Sequence, residues 1–209
     1  NEVVVLTDKV SQDGTLNWKP ISGKWVMYAV FTGKTLQKVK RAAPGGEGYT
    51  LDHFSPDATK DYLRSFDKAF GNSNYGIRSF FNDSYEVYNA DWTAGFKDEF
   101  KKRRGYDLSP YIKYLVSDNE SEIAGRIKSD YRETMSELIL HNFTEKFTNW
   151  AHSKNSNNTN QAHGSPGNLL DLYAAVDIPE SETFGSTKFD IEGLKRNVED
   201  INTKEVPDI

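Results

Sequence analysis

Cysteine is absent from the 209-residue sequence, which removes disulfides, thiolate metal sites and cysteine nucleophiles together. It does not fix the compartment. No run of about 18 apolar residues occurs, so no segment reads as a membrane-spanning helix. No basic-then-apolar N-terminal stretch reads as a signal peptide, as would also hold for a secreted chain whose leader has been removed. Positive charge is in deficit: the net charge is −5 and the pI is near 5.5. That argues against nucleic acid, where a basic face supplies most of the affinity. The Gly-x-Ser-x-Gly elbow, the phosphate-binding loop and the dinucleotide fingerprint are all missing. Gly45-Gly46-Glu47-Gly48 is too short for a phosphate cradle and lacks its lysine. What is abundant is aromatic surface, with four Trp, eleven Tyr and twelve Phe. That is too rich a store for a wholly disordered chain, and it suits a core, a carbohydrate platform or both.

The length allows one large domain or two small ones. Apolar runs around Val3–Leu6, Leu16–Trp18 and Trp25–Phe31 are separated by Asp13-Gly14 and Gly23. Asp-Gly between apolar runs predicts a hairpin, so two or three strands are expected in residues 1–40. A Gly-rich loop fills 41–53. Ser55-Pro56 then opens a helix, Ser as cap and Pro at its first position, which Gly71 closes. A short strand is expected at Ile77–Phe81, a helix from Thr93 to Arg104, and a long helix over roughly 120–151. The stripe of the long helix is Ile123, Ile127, Tyr131, Met135, Leu138, Phe143, Phe147 and Trp150. Arg126, Lys128, Glu133, Glu137 and Lys146 should face outward. Lys154–Asn158 reads as a polar break. Thr159–Ala162 is the next strand, Leu169–Ala174 a short helix and Ala175–Ile178 a further strand. The tail from about 185 is charged.

This alternation indicates an α/β fold with parallel strands. Three strands run into polar clusters: Asp83/Glu86, Gln161/His163 and Asp177/Glu180/Glu182. Polar chemistry at strand ends is the pattern of a (β/α)8 barrel, which needs about 250 residues. The expectation is therefore part of a TIM-like barrel. Residues 1–40 form a hairpin-rich lead, 41–185 the catalytic portion and 186–209 a charged tail or the start of the next barrel segment.

A carboxylate of Asp83-Ser84-Tyr85-Glu86, set beside aromatics at a barrel mouth, is a candidate proton donor, since burial favours a protonated carboxyl. Asp83 and Tyr85 would face one way in a strand, Ser84 and Glu86 the other. Surface acidity explains these residues about as well. Asp177, Glu180 and Glu182 fall within six residues, suiting a base, a calcium site or plain surface charge. In Gln161-Ala162-His163-Gly164 a His beside Gly at a strand end suits donation to a hydroxyl and equally a satisfied structural role, and Asp52-His53 after the Gly-rich loop is placed to line a site. His53, His141, His152 and His163 make no metal-ligand spacing. Lys101–Arg104 closes an amphipathic helix, where cations suit the dipole. The glycosylation patterns at Asn82 and Asn142 fall in regular structure and read as chance matches.

A series of motifs resembles glycoside hydrolase family 106, the α-L-rhamnosidases. They are Phe81-Asn82-Asp83-Ser84-Tyr85-Glu86-Val87, Asp91-Trp92-Thr93, Phe100 through Arg103-Arg104-Gly105-Tyr106-Asp107, Gln161-Ala162-His163-Gly164 and Asp177 through Gly185. The earlier Asp13-Gly14-x-Leu16-x-Trp18 and Pro20-x-x-Gly23-x-Trp25 also fit. The resemblance spans residues 5–185. It implies an inverting exo-hydrolase that removes terminal α-L-rhamnose from polysaccharides or oligosaccharides, on a (β/α)8 barrel. It also implies a calcium requirement and a bacterial secreted or periplasmic location. Glu86 would be the general acid and Glu180 or Glu182 the second carboxylate. Asp52, His53, Asp83, Tyr85, Trp92, Gln161 and His163 would bind substrate. An incomplete barrel would expose strand edges and invite self-association. A glycosidase for another sugar and a non-catalytic carbohydrate-binding module are the competing readings.

Overall fold

The computed structural model describes residues 2–71, 73, 75–118 and 120–181. Three parallel strands, β1 (Ser79–Asn82), β2 (Asn157–Asn160) and β3 (Ile178–Pro179), form one sheet in that order. Asn82 is in register with Asn160, and Asn160 with Pro179, so all three strands finish at one end. Six helices accompany them among the described residues: α1 (Pro56–Phe70), α2 (Phe96–Arg104), α3 (Ile112–Leu115), α4 (Glu122–Ile139), α5 (Glu145–Ser153) and α6 (Leu169–Ala174). The α/β class with parallel strands is thus as expected. No helix among the described residues is long and apolar enough to cross a membrane.

Local chemistry explains most boundaries. The Ser55 side chain accepts from Ala58 N at 3.2 Å and Pro56 starts α1. α2 begins three residues later than Thr93, because Gly95 takes the left-handed conformation at its cap. Its Phe96 and Phe100 are fully buried, each worth about 1.5–3 kcal/mol of transfer energy. Arg103 and Arg104 pair with Glu99, Glu133 and Glu137, tying α2 to α4. The basic run is a structural terminus, as read from sequence.

The long helix is present, but one π-helical turn, Leu140–Thr144, joins α4 to α5. The apolar stripe steps by five from Leu138 to Phe143, and a wider turn absorbs that step while keeping both inside. Ile123 departs from the expected core stripe, being 42% exposed. Lys128 and Glu137 depart from the expected outward face. Lys128 reaches the Ser117 carbonyl, and Glu137 is drawn in by the two arginines.

β2 corrects the sequence reading most. Asn157 and Asn158 belong to the strand and not to a polar break, and Asn158 and Asn160 are each 1% exposed. Asn is a poor strand former. Here side-chain bonds compensate: Asn158 Nδ2 donates to Thr148 Oγ1 and Asn82 Nδ2 donates to Asn160 Oδ1, each at 2.8 Å. β3 starts later than expected, because Ala175 N and Val176 N still bond back to Asp171 and Tyr173 at the end of α6.

The expected strands of residues 1–40 do not form. Among the described residues only isolated antiparallel bridges occur, Val10 with Leu16 and Lys38 with Tyr49. The Asp13-Gly14 turn is as anticipated, with Gly14 at φ 83° and Asp13 accepting from Ser11 and Thr15. Trp25–Phe31 pairs with no strand among the described residues, and an isolated hairpin is marginal in water.

Candidate functional site

The loops that leave β1 and β2 are bound together. Gln161 N donates to the Asn82 carbonyl at 3.1 Å, and Tyr85 N to the His163 carbonyl at 2.7 Å. Gly164, at φ 71°, packs so closely that a Cβ there would sit 2.8 Å from the Tyr85 carbonyl oxygen. A third loop joins them before α1. Thr93 Oγ1 donates to Asp52 Oδ2 at 2.7 Å, and Asn142 Nδ2 to the Phe54 carbonyl at 2.8 Å. Glu180 N donates to the Asn160 carbonyl at 3.1 Å, continuing the same end of the sheet. Residues more than 100 positions apart are thereby brought to one end of three strands.

The candidate side chains occupy different environments there. Tyr85 is 2% exposed and turned into the core, its ring against His53 and Phe143. Burial pushes its hydroxyl well above the ordinary tyrosine range. The His53 ring lies 4.9 Å from Tyr85 and 4.6 Å from Phe143. Burial lowers its pKa to about 4, so it is neutral at pH 7. Trp92 stacks on Phe96 at 4.6 Å. Asp83 is exposed and accepts from Ser84 N. Gln161 is half-buried, its Oε1 without a partner among the described residues.

Glu86 is half-buried, and its Oε1 accepts from Lys40 Nζ at 3.0 Å. Its backbone carbonyl accepts from Gln37 Nε2. The expected enclosure by Tyr85 and Trp92 is not what surrounds this carboxylate. β1 ends at Asn82, so strand alternation does not carry on to residue 86, and Tyr85 faces the core while Trp92 belongs to the α2 packing. Lys40 and Gln37 were missed from sequence because they lie 46 and 49 residues away with no local motif.

The acidic stretch after α6 is divided. Asp177 precedes β3, accepts from Asn158 N at 2.8 Å and pairs with His152 at 2.9 Å. The Asn158 N–H and then the imidazole hold its carboxyl below the usual range. It is therefore a strand-joining group. Glu180 is exposed beyond β3, and Glu182 lies outside the described residues. Among the described residues no three His, Asp or Glu side chains are grouped to hold a metal ion. A separate groove of about 540 Å³, lined by residues including Tyr106, Tyr111 and Ile123, contains none of the candidate residues.

A protein of Formosa agariphila named "Putative beta-glucuronidase" is 29% identical over 187 residues, covering 85% of this chain and 16% of its own length. The structure of a rhamnosidase from Novosphingobium sp. PP1Y superposes with a TM-score of 0.65 at 25% identity, over 83% of this chain and 18% of that one. The chain thus spans under a fifth of the length of either relative. The sequence model of glycoside hydrolase family 106, described as alpha-L-rhamnosidase, matches residues 1–203, and with nearly the whole chain inside that match the protein belongs to this glycosidase family.

Proposed function

We propose that the intact protein removes terminal α-L-rhamnose from a polysaccharide or oligosaccharide with inversion, and that this chain is part of its (β/α)8 catalytic barrel. The observation that supports the reading is the three-stranded parallel sheet whose strands all end on one side, with Glu86 in the loop after β1 and Glu180 just after β3. In this reading Glu86 protonates the leaving glycosidic oxygen, and Glu180 or Glu182 activates water on the opposite face of the sugar. Asp52, His53, Asp83, Trp92, Gln161 and His163 line or support the sugar site, with Tyr85 beneath it. Lys40 also reaches this carboxyl, and that contact has to open for Glu86 to carry the proton it donates. Residues 1–40 lead into the barrel, 41–185 form part of it, and 186–209 continue from it. A bacterial secreted or periplasmic location accompanies the reading. No step is routed through calcium.

The test belongs in the intact enzyme. Glu86→Gln should slow rhamnosides with poor leaving groups by about 10²–10⁴-fold, the usual worth of general acid catalysis. A good leaving group departs with little protonation and should lose far less. Equal losses on both substrates would remove Glu86 from the acid role, and unchanged activity would remove it from catalysis. The product anomer, read by NMR in the first minutes, decides inversion. A glycosidase for another sugar is the second reading, favoured by the name of the Formosa relative, and hydrolysis of a β-glucuronide in preference to a rhamnoside would select it.

A further inference from the structure

An arm outside the sheet makes the ion pair of Glu86. Residues 37–50 fold back on themselves: Thr50 N donates to the Gln37 carbonyl at 2.9 Å, and Val39 N to the Gly48 carbonyl at 3.0 Å. The base of the arm is fixed against the strand ends. Asp52, two residues on, accepts from Thr93 Oγ1 and Phe54 N, and the His53 ring packs on Tyr85. The arm then touches residue 86 twice. Gln37 Nε2 donates to its backbone carbonyl, and Lys40 Nζ to its Oε1 at 3.0 Å. Lys40 is thus brought to this carboxyl by the fold of the arm as well as by its own charge. The arm is basic within an acidic chain. Lys38, Lys40 and Arg41 are all exposed on it and face a single acid, Glu47, whereas the whole chain carries a net charge of −5.

A general acid is neutral when it meets the glycosidic oxygen, so at that moment Lys40 has lost its counter-charge. Bound sugar also shuts water away, which makes a lone cation more costly. We infer that the leaving sugar supplies the missing charge: Lys40 is a specificity-determining residue that binds the carboxylate of a uronic acid in the leaving-group position, so the substrate is rhamnose joined to an acidic sugar. The inference rests on the reading of Glu86 as the acid. That acid lies against the oxygen joining the cleaved sugar to the leaving one, and a cation one hydrogen bond away is within reach of substituents on the leaving sugar. The ammonium has three donors and Glu86 takes one. Its side chain is 58% exposed, so the others are open to a ligand. An ion pair this exposed contributes little, and exchanging one carboxylate for another costs little. As the C1–O bond breaks, the leaving oxygen keeps the bonding pair and takes the Glu86 proton. Water adds to C1 and gives its proton to the second carboxylate. Glu86, charged again, then competes with the uronate for Lys40, which favours product release. A sulfate ester offers a like charge, but Lys40 already holds a carboxylate, and a carboxylate is its direct replacement.

The experiment gives the intact enzyme three rhamnosyl disaccharides of one linkage. In the first the leaving sugar is a uronic acid, in the second its carboxyl is reduced to the primary alcohol, and in the third that alcohol carries a sulfate ester. The readout is the ratio of kcat/KM on the uronate to that on the reduced sugar. The parent ratio should be at least about 10-fold, the usual worth of a hydrogen bond to a charged group. Lys40→Met should bring the ratio close to one, and Lys40→Arg, which keeps the charge, should retain most of it. Arg41→Met should leave it unchanged. The parent ratio should also fall as added salt screens the pair, a readout that needs no variant to fold. A parent ratio near one, a ratio that survives Lys40→Met or high salt, or an equal fall in Arg41→Met would overturn the inference. A stronger preference for the sulfate ester would overturn the uronate class. Cleavage of a β-glucuronide with the same dependence on Lys40 would put the acidic sugar in the cleaved position and overturn its placement. Glu86→Gln is measured alongside. If it shows no leaving-group dependence, the acid reading fails and takes the inference with it. If it shows that dependence while the ratio ignores Lys40, the inference alone fails.

Discussion

His53 shows how one half-buried side chain, packed between aromatic rings, sets a pH window. Its pKa falls to about 4 because its ring is enclosed against Tyr85 and Phe143, whereas an unfolded histidine titrates near 6.5. Above that value both states are neutral and the full stability is present. As pH falls from about 6.5 towards 4 the unfolded chain gains a proton that the folded one does not, so stability drops. The drop is at most about 3 kcal/mol, and less to the extent that water reaches the ring. Urea melts at pH 7 and pH 5 should show a smaller difference for His53→Gln than for the parent chain. Parallel pH dependence would assign the window to another group. Asp67 and Asp177 act at lower pH. Lys154 and Trp150 lower Asp67, the Asn158 N–H and His152 lower Asp177, and both contributions vanish only as pH falls through the carboxylate range. Gly164 makes a second test at this scale. Alanine there faces both a left-handed φ and a 2.8 Å contact with the Tyr85 carbonyl. Alanine at Gly105 faces only the φ of 82°. Gly105→Ala should cost about 1–2 kcal/mol, and Gly164→Ala distinctly more. Equal costs by thermal melting would contradict the close approach of the two loops.

The long helix divides into what periodicity shows and what packing adds. Ile127, Met135, Leu138, Phe143, Phe147 and Trp150 are buried as their spacing demands. Leu138→Ala should therefore cost about 2–5 kcal/mol in a melting experiment. Ile123 belongs to the same stripe in sequence yet is 42% exposed, so Ile123→Ala should stay within about 0.5 kcal/mol. Comparable losses at both positions would show that the first turn of α4 is packed after all. β2 makes the opposite case. An Asn-rich run looks like a loop, because amides normally bond water or their own backbone. It becomes the central strand because Thr148, Asn82 and Asp177 arrive from other elements to satisfy it.

For the whole molecule, the unpaired apolar segment Trp25–Phe31 dominates. Val26 is 74% and Phe31 89% exposed, and apolar residues occur on both faces of the run. A strand apolar on both faces suits the middle of a covered sheet. Alone in water, such a segment is a template for pairing. The 209-residue chain should therefore self-associate with rising concentration in sedimentation velocity, and Val26→Lys with Val30→Lys should reduce it. A monomer across the accessible range would assign the segment no such role.

Sequence alone determined what is local. Caps at Ser55, Gly71 and Gly105, the helical stripe, the order of strands and helices from α1 onward, and the motif series all rest on residues a few positions apart. The same motifs held the family in view. Tertiary structure decided which chemistry meets. The ion pair of Glu86 with Lys40, the inward turn of Tyr85, the separation of Asp177 from Glu180 and the burial of Asn160 depend on contacts across about 20 to 100 residues. Periodicity reports which face of an element is apolar, but only packing brings a distant cation or amide to a particular oxygen.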